Sequence, residues 1–161
     1  MELKFKVQTR IQKPVEEVFD AVYNPDKLSG YFTNGGASAP LDEGTVVEWR
    51  FADNPGQEPH VAPVTVRKVV PNELIVIEWD ADGGRTTTTE MTFEKVGDDT
   101  IVRISETGWQ ETQESLNRSY GNCMGWSHMV LSLKAFVEYG INLRKGAYEG
   151  TYGAKDHQAA K

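Results

Sequence analysis

The chain opens with a strict alternation of side-chain character. One face of residues 2–11 carries Leu3, Phe5, Val7, Thr9 and Ile11, and the other carries Glu2, Lys4, Lys6, Gln8 and Arg10. A period of two places successive side chains on opposite faces of a strand. Because only one face is mostly apolar, the pattern predicts a strand of an antiparallel sheet with its other face in water.

The period then changes to that of a helix. Apolar side chains recur at i, i+3, i+4 and i+7, which is the spacing of a helix with one apolar side. These positions are Val15, Val18, Phe19 and Val22. Pro14 precedes them, and proline is favoured where a helix begins. Asn24 and Pro25 end this helix, and a second short helix is predicted from Pro25 to Leu28.

Further strands follow, each bounded by turn residues. The predicted segments are 45–51, 64–70, 74–79, 86–96 and 100–107. The turn at residues 80–84 predicts a hairpin rather than a calcium loop, because Thr88 and Thr89 stand where later acidic ligands would be needed. Strands joined in succession by short turns predict a meandering antiparallel sheet of six or seven strands.

A long amphipathic helix is predicted from about Thr112 to about Gly140, with Thr112 as its cap. Its predicted apolar stripe contains Leu116, Tyr120, Cys123, Trp126, Val130, Leu133, Val137 and Ile141. Gly121 and Gly125 lie inside it, and each disfavours helix by about 1 kcal/mol relative to alanine, so we expect a kink or a break there.

These elements predict an α+β fold, in which a curved antiparallel sheet wraps around one long C-terminal helix, with two short helices after the first strand. A single domain is expected over residues 1–150. The apolar pattern fades after Arg144, and residues 151–161 are expected to form a mobile tail.

Composition narrows the function classes. The formal net charge is −7, which disfavours a nucleic-acid partner because such a partner requires a basic surface. No apolar run is long enough for membrane insertion, and the first residues do not resemble a signal peptide. Cys123 is the only cysteine, so no disulfide can form within the chain. Together these features favour a cytoplasmic protein.

Candidate catalytic groups are few. His60, His128 and His157 have no Cys, Asp or Glu at a metal-ligand spacing, so neither a metal nor a cofactor is expected. Cys123 lies on the predicted apolar stripe and is interpreted as a buried, inert thiol. Glu106 continues the inward face of the last strand, where a carboxylate would require a partner. We expect the strand to end or twist first, which would leave Glu106 at the rim in water.

Three stretches carry a family resemblance: KPVEEVFDAVYNPDKLSGYFT, VVPNELIVIEW and GWSHMVLSLKAFVEYG. Over residues 3–144 the chain resembles the START-like (SRPBCC) superfamily, and within it the family named for the activator of heat-shock protein 90 ATPase. The resemblance implies a helix-grip fold with a cavity between the sheet and the last helix. It does not imply one activity, because the superfamily includes lipid carriers, aromatases and cyclases, hormone-binding proteins and a co-chaperone domain.

Three functional hypotheses follow. The first is binding of a small hydrophobic molecule, either a lipid or a polycyclic aromatic, in that cavity. The second is a protein-interaction module that acts on a chaperone in the stress response, and the third is an enzyme of the cyclase or hydrolase type using the same cavity. We favour binding, because Glu106 is the only candidate acid or base and no second group converges on it.

The predicted ligand-binding set combines the inner sheet face with the covering helix. It contains Trp49, Trp79, Thr89, Met91, Phe93, Glu106, Tyr120, Trp126 and Val130. Ordinary core packing is the competing interpretation for each large aromatic side chain. The oligomeric state is left open.

Overall fold

The computed structural model describes residues 1–151, so the predicted tail lies outside the described residues except for Thr151. The elements in chain order are β1 (Lys4–Ile11), α1 (Val15–Tyr23), α2 (Pro25–Leu28), β2 (Gly36–Ala37), β3 (Val46–Phe51), β4 (His60–Val70), β5 (Leu74–Asp80), β6 (Thr86–Val96), β7 (Asp99–Thr107) and α3 (Gln113–Tyr139). The predicted α+β helix-grip architecture is confirmed: a curved sheet of seven strands is covered by one long C-terminal helix.

The sheet is a meander with one long connection. Its strand order is β1-β7-β6-β5-β4-β3-β2, and every neighbouring pair is antiparallel. The two short helices carry the chain from β1 at one edge to β2 at the other. The apolar side of α1 is buried, and Phe19 meets Phe93 of β6 edge to face, with ring centroids 5.1 Å apart. Asn24 caps α2 by accepting a hydrogen bond from the backbone N–H of Asp26 at 2.9 Å.

Helix α3 runs without a break from Gln113 to Tyr139, so the break expected at Gly121 and Gly125 is wrong. Packing against the sheet exceeds the helix-propensity cost of two glycines, because most helical stability in proteins comes from a buried apolar face. Thr112 caps the helix as predicted, and Gly140 ends it in the left-handed conformation with φ of 68°.

The buried face of α3 differs in part from the predicted stripe. It is formed by Ser115, Ser119, Trp126, Met129, Val130, Ser132 and Leu133. Tyr120 is 61% exposed, and Ile141 lies beyond the helix end and is also exposed, so both predicted placements are wrong. The helical phase is set by Trp126 and Leu133, and that phase turns Tyr120 outward. Cys123 is partly buried.

The space between the centre of the sheet and α3 is filled. The inner sheet side chains there are 4% exposed or less: Val47, Trp49, Val64, Val66, Ile75, Ile77, Thr89, Met91, Phe93, Val102 and Ile104. This part of the molecule is therefore a packed core, as dense interiors generally are. In residues 1–151, no helix combines the length and apolar character that crossing a bilayer requires.

A buried tyrosine generates a prediction about alkaline stability. The Tyr31 hydroxyl donates to the Ala21 carbonyl at 2.9 Å, and burial raises the pKa of Tyr31 well above its ordinary value. The unfolded chain ionises this group near pH 10, whereas the folded chain keeps it neutral. Stability is therefore retained below about pH 10 and falls as pH rises above it.

Tyr31→Phe should reduce the loss of stability at alkaline pH. The measurement is the change in the urea unfolding midpoint between about pH 8 and about pH 10.5. The lost hydrogen bond lowers the midpoint at both pH values, so the difference between them is the informative quantity. Tyr139→Phe, which changes a 66% exposed tyrosine, is the control. Equal pH dependence in Tyr31→Phe and the unmodified protein would contradict the argument.

Candidate functional site

Glu106 is fully buried, and its carboxylate accepts four hydrogen bonds. One oxygen accepts from the Trp79 indole N–H at 2.8 Å and the Thr87 hydroxyl at 2.6 Å. The other accepts from the Asn122 amide at 3.0 Å and the Trp126 indole N–H at 3.1 Å. The expected position at the rim is wrong.

The strand explains the correction. Glu106 pairs with Phe5 of β1 on one side and with Thr89 of β6 on the other, so β7 stays in the sheet as far as Thr107. Alternation along the strand then turns Glu106 toward α3, as it does Val102 and Ile104. None of the ion pairs in residues 1–151 includes Glu106, so neutral donors alone offset the desolvation of its charge.

Glu106 fixes the orientation of two indole rings. Each ring is held by its single N–H, and the Trp79 and Trp126 ring centroids lie 5.6 Å apart. Trp49 packs behind them at 5.7 Å from Trp79 and 6.4 Å from Trp126. Trp49 itself is fully buried, and its indole N–H has no hydrogen-bond partner.

A cleft of about 170 Å³ opens beside this cluster. It lies between the middle of α3, the adjoining ends of β3 and β4, and the segment after α3. Its lining consists of Phe32, Phe51, Asp53, His60, Trp79, Gly121, Asn122, Met124, Gly125, Trp126, His128, Arg144 and Tyr148. A Cβ atom built on Gly121 or Gly125 meets no atom within 4 Å, so these glycines leave the helix side of the cleft open.

The segment after α3 supplies one wall of the cleft. Arg144 forms two hydrogen bonds of 2.9 Å with Asp53, whose side chain is 4% exposed. The Arg144 guanidinium also lies 4.9 Å from the Phe51 ring centroid and 4.8 Å from that of Tyr148. The Tyr148 hydroxyl is hydrogen-bonded to Nδ1 of His128 at 2.8 Å. The charges of Asp53 and Arg144 are therefore paired with each other at the cleft.

The nine predicted site residues separate into three groups. Trp79 and Trp126 line the cleft, and Glu106 lies behind them as their common acceptor. Trp49, Thr89, Met91, Phe93 and Val130 are buried in the core. Tyr120 is exposed and lines a separate cavity of about 160 Å³ together with Phe5 and Cys123. Its predicted place beside the tryptophans is therefore wrong. A role in binding stays a prediction for all nine.

Several lining residues had no place in the predicted set. Asn122 is four residues before Trp126 and therefore lies on the same side of the helix. A polar residue at such a position indicates a buried hydrogen-bond partner. The sequence predicts a disturbed helix at Gly121 and Gly125, and the same i, i+4 spacing places both on one side of it. Asp53 and Arg144 are 91 positions apart, and no local pattern relates them.

The titratable residues of the cleft do not form a metal site. Within residues 1–151, no group of three or more His, Cys, Asp and Glu side chains could hold a metal ion. His60 and His128 both line the cleft, whereas His157 lies outside the described residues.

A family model described as "Activator of Hsp90 ATPase homolog 1-like protein" matches residues 12–138, which is more than half of the chain. No curated protein matches the sequence.

Solved structures share the fold. The protein SSP2350 from Staphylococcus saprophyticus is 20% identical, and the superposition covers 89% of this chain and 97% of that one with a TM-score of 0.69. The Aha1 dimer from Colwellia psychrerythraea is 23% identical, with 86% and 98% covered and a TM-score of 0.70. DynU16, a protein of the dynemicin biosynthetic locus, is 21% identical, with 89% and 50% covered and a TM-score of 0.75. At these identities, the likeness shows the fold alone.

The carboxylate network generates a stability prediction. In Glu106→Gln, an NH₂ group replaces one of the two carboxylate oxygens. An NH₂ group donates hydrogen bonds and does not accept them, so at least one of the two buried donors at that position loses its acceptor. We expect the free energy of unfolding to fall by about 3 kcal/mol, measured by urea denaturation. Glu90→Gln, at an exposed position on β6, is the matched control. A midpoint for Glu106→Gln that equals the control would show that the four hydrogen bonds contribute little.

Proposed function

The chain belongs to the activator of Hsp90 ATPase homologue 1-like family, and we propose that it binds a small, flat, uncharged molecule in the cleft beside Trp79 and Trp126. One observation carries this proposal: two indole rings wall an open cleft while their N–H groups are held by Glu106. The rings therefore offer their apolar surfaces to a ligand rather than hydrogen bonds.

The charges at the cleft support an uncharged ligand. Arg144 and Asp53 satisfy each other in a bidentate pair, so a charged ligand would have to compete with that pair. The aromatic side chains Phe32, Phe51 and Tyr148 complete the walls. Flat apolar ligands gain from stacked or edge-to-face contacts with such rings.

The size of the cleft supports a ligand with one ring. An apolar cavity of about 150 Å³ in another protein accepts benzene, and the cleft has about 170 Å³. A single aromatic ring therefore fills the cleft, and a larger ligand would have to extend beyond it.

Binding is favoured over catalysis at this site. Both Glu106 oxygens already accept two hydrogen bonds each, so the carboxylate is engaged in holding Trp79, Thr87, Asn122 and Trp126. A general base needs access to the proton that it abstracts. Glu106 therefore supports a structural role better than a catalytic one.

A protein-interaction function remains the second candidate, and one observation favours it. Three large apolar side chains, Tyr120, Met124 and Leu131, are 61%, 45% and 53% exposed on α3. Such side chains on one helix can contact a partner protein. Specific capture of a purified heat-shock protein 90, weakened by Tyr120→Ala at a position outside the cleft, would support this alternative over ligand binding.

Gly125→Ala tests the proposed site, because it should stabilise the folded protein and weaken ligand binding. The added methyl group enters the cleft, while alanine favours the helix interior by about 1 kcal/mol. We expect a higher melting temperature together with weaker binding of 4-methylphenol, measured by isothermal titration calorimetry. Asn117→Ala, an exposed position of α3 outside the cleft lining, should gain stability without a change in affinity. Absence of 4-methylphenol binding to the unmodified protein at its solubility limit would overturn the proposal.

A further inference from the structure

A second cavity lies next to the cleft, on the other side of the segment that follows α3. It has a volume of about 280 Å³. Its lining consists of Tyr31, Phe32, His128, Met129, Leu131, Ser132, Leu143, Arg144, Ala147 and Tyr148. Four of these residues, namely Phe32, His128, Arg144 and Tyr148, also line the cleft. The two spaces therefore adjoin, and these four side chains form a partition between them.

The partition is built from side chains in direct contact. The Tyr148 hydroxyl is hydrogen-bonded to the His128 imidazole at 2.8 Å, and the two rings are nearly parallel with centroids 6.0 Å apart. The Arg144 guanidinium lies over the Tyr148 ring, 4.8 Å from its centroid. Tyr148 therefore forms the middle of the partition.

The attachments of Arg144 and Tyr148 differ in strength. Arg144 is held by two charge-assisted hydrogen bonds to Asp53, with side-chain exposures of 15% and 4%. The hydrogen bond between Tyr148 and His128 joins a partly buried residue to an exposed one, so it contributes less than the buried pair of Arg144 and Asp53. When a ligand presses on the partition, Tyr148 should move while Arg144 stays in place.

The backbone around Tyr148 permits such a movement. Helix α3 ends at Tyr139, and the residues from Gly140 to Thr151 contain no helix or strand. Ile141 and Leu143 are about half exposed, so this segment buries little apolar surface. Segments with few buried apolar contacts open at lower free energy than core elements do.

We infer that the cleft and the second cavity are two compartments of one binding site, and that its ligand is elongated, with a ring in the cleft and an apolar chain that displaces Tyr148. This inference rests on the proposed function. Met129, Leu131 and Leu143 give the second cavity an apolar lining suited to a hydrocarbon chain. Each buried methylene group should strengthen binding about fourfold.

A series of 4-alkylphenols tests the inference by isothermal titration calorimetry, with methyl, butyl, hexyl and octyl chains. We expect the dissociation constant to fall steadily along the series. Ala147→Leu narrows only the second cavity, since Ala147 does not line the cleft. This variant should remove most of the gain from the octyl chain while it leaves 4-methylphenol binding unchanged.

Tyr148→Phe provides an independent readout. It removes the hydrogen bond to His128 but keeps the ring, so the partition should open more easily. We expect about fivefold tighter binding of 4-octylphenol, with 4-methylphenol unchanged. A melting curve for each variant confirms that it is folded.

The outcomes separate the two proposals. If 4-methylphenol does not bind, the proposed function fails. If 4-methylphenol binds but affinity stays flat or falls as the chain lengthens, the two-compartment site is overturned and the proposed function stands. If affinity rises with chain length but neither Ala147→Leu nor Tyr148→Phe alters that rise, the chain lies on the outer surface and the inference is also overturned.

Discussion

The desolvation of one carboxylate governs the arrangement around the cleft. A charged side chain between a sheet and its covering helix is unfavourable unless every lone pair finds a donor. Glu106 meets this requirement with donors from three elements: Trp79 of β5, Thr87 of β6, and Asn122 and Trp126 of α3. The helix can therefore take only a position along the sheet at which Asn122 and Trp126 both reach the carboxylate. Apolar packing alone would tolerate small shifts of the helix, whereas four directional hydrogen bonds do not.

The same network explains why the open space lies to one side of the fold. In the middle of the sheet, the inward-facing side chains Ile77 of β5 and Met91 of β6 are buried, and Leu133 of α3 is buried as well. Toward β3 and β4, the Trp79 and Trp126 rings are fixed by Glu106 and cannot rotate to fill the gap. Gly121 and Gly125 contribute no side chain there, so the gap persists as a cleft.

Local sequence patterns were sufficient for the fold but only partly sufficient for the site. Alternation and helical spacing predicted the strands and the covering helix, because both reflect burial of one face. The predicted position of Glu106 is wrong because alternation along a strand does not reveal hydrogen-bond donors on other elements. Such donors are what allow an inward-facing carboxylate to be buried. The predicted burial of Tyr120 is wrong because apolar spacing along the helix also fits a stripe through Tyr120, whereas Trp126 and Leu133 set the phase that turns it outward. The wall formed by Asp53 and Arg144 depends on a contact between residues 91 positions apart, and such contacts leave no local signature.

Within α3, the same residues affect both the stability of the helix and the access of a ligand to the cleft. Two glycines inside α3 disfavour the helix by about 2 kcal/mol relative to alanine, and they lie at the level where the cleft needs open space. The donors to Glu106 come from the positions between and next to them, Asn122 and Trp126. The stretch of α3 that contains both glycines is therefore also bonded to the sheet through Glu106. Because the two features lie within two helical turns, the helix stays continuous through Gly121 and Gly125 while that side of it remains open to a ligand.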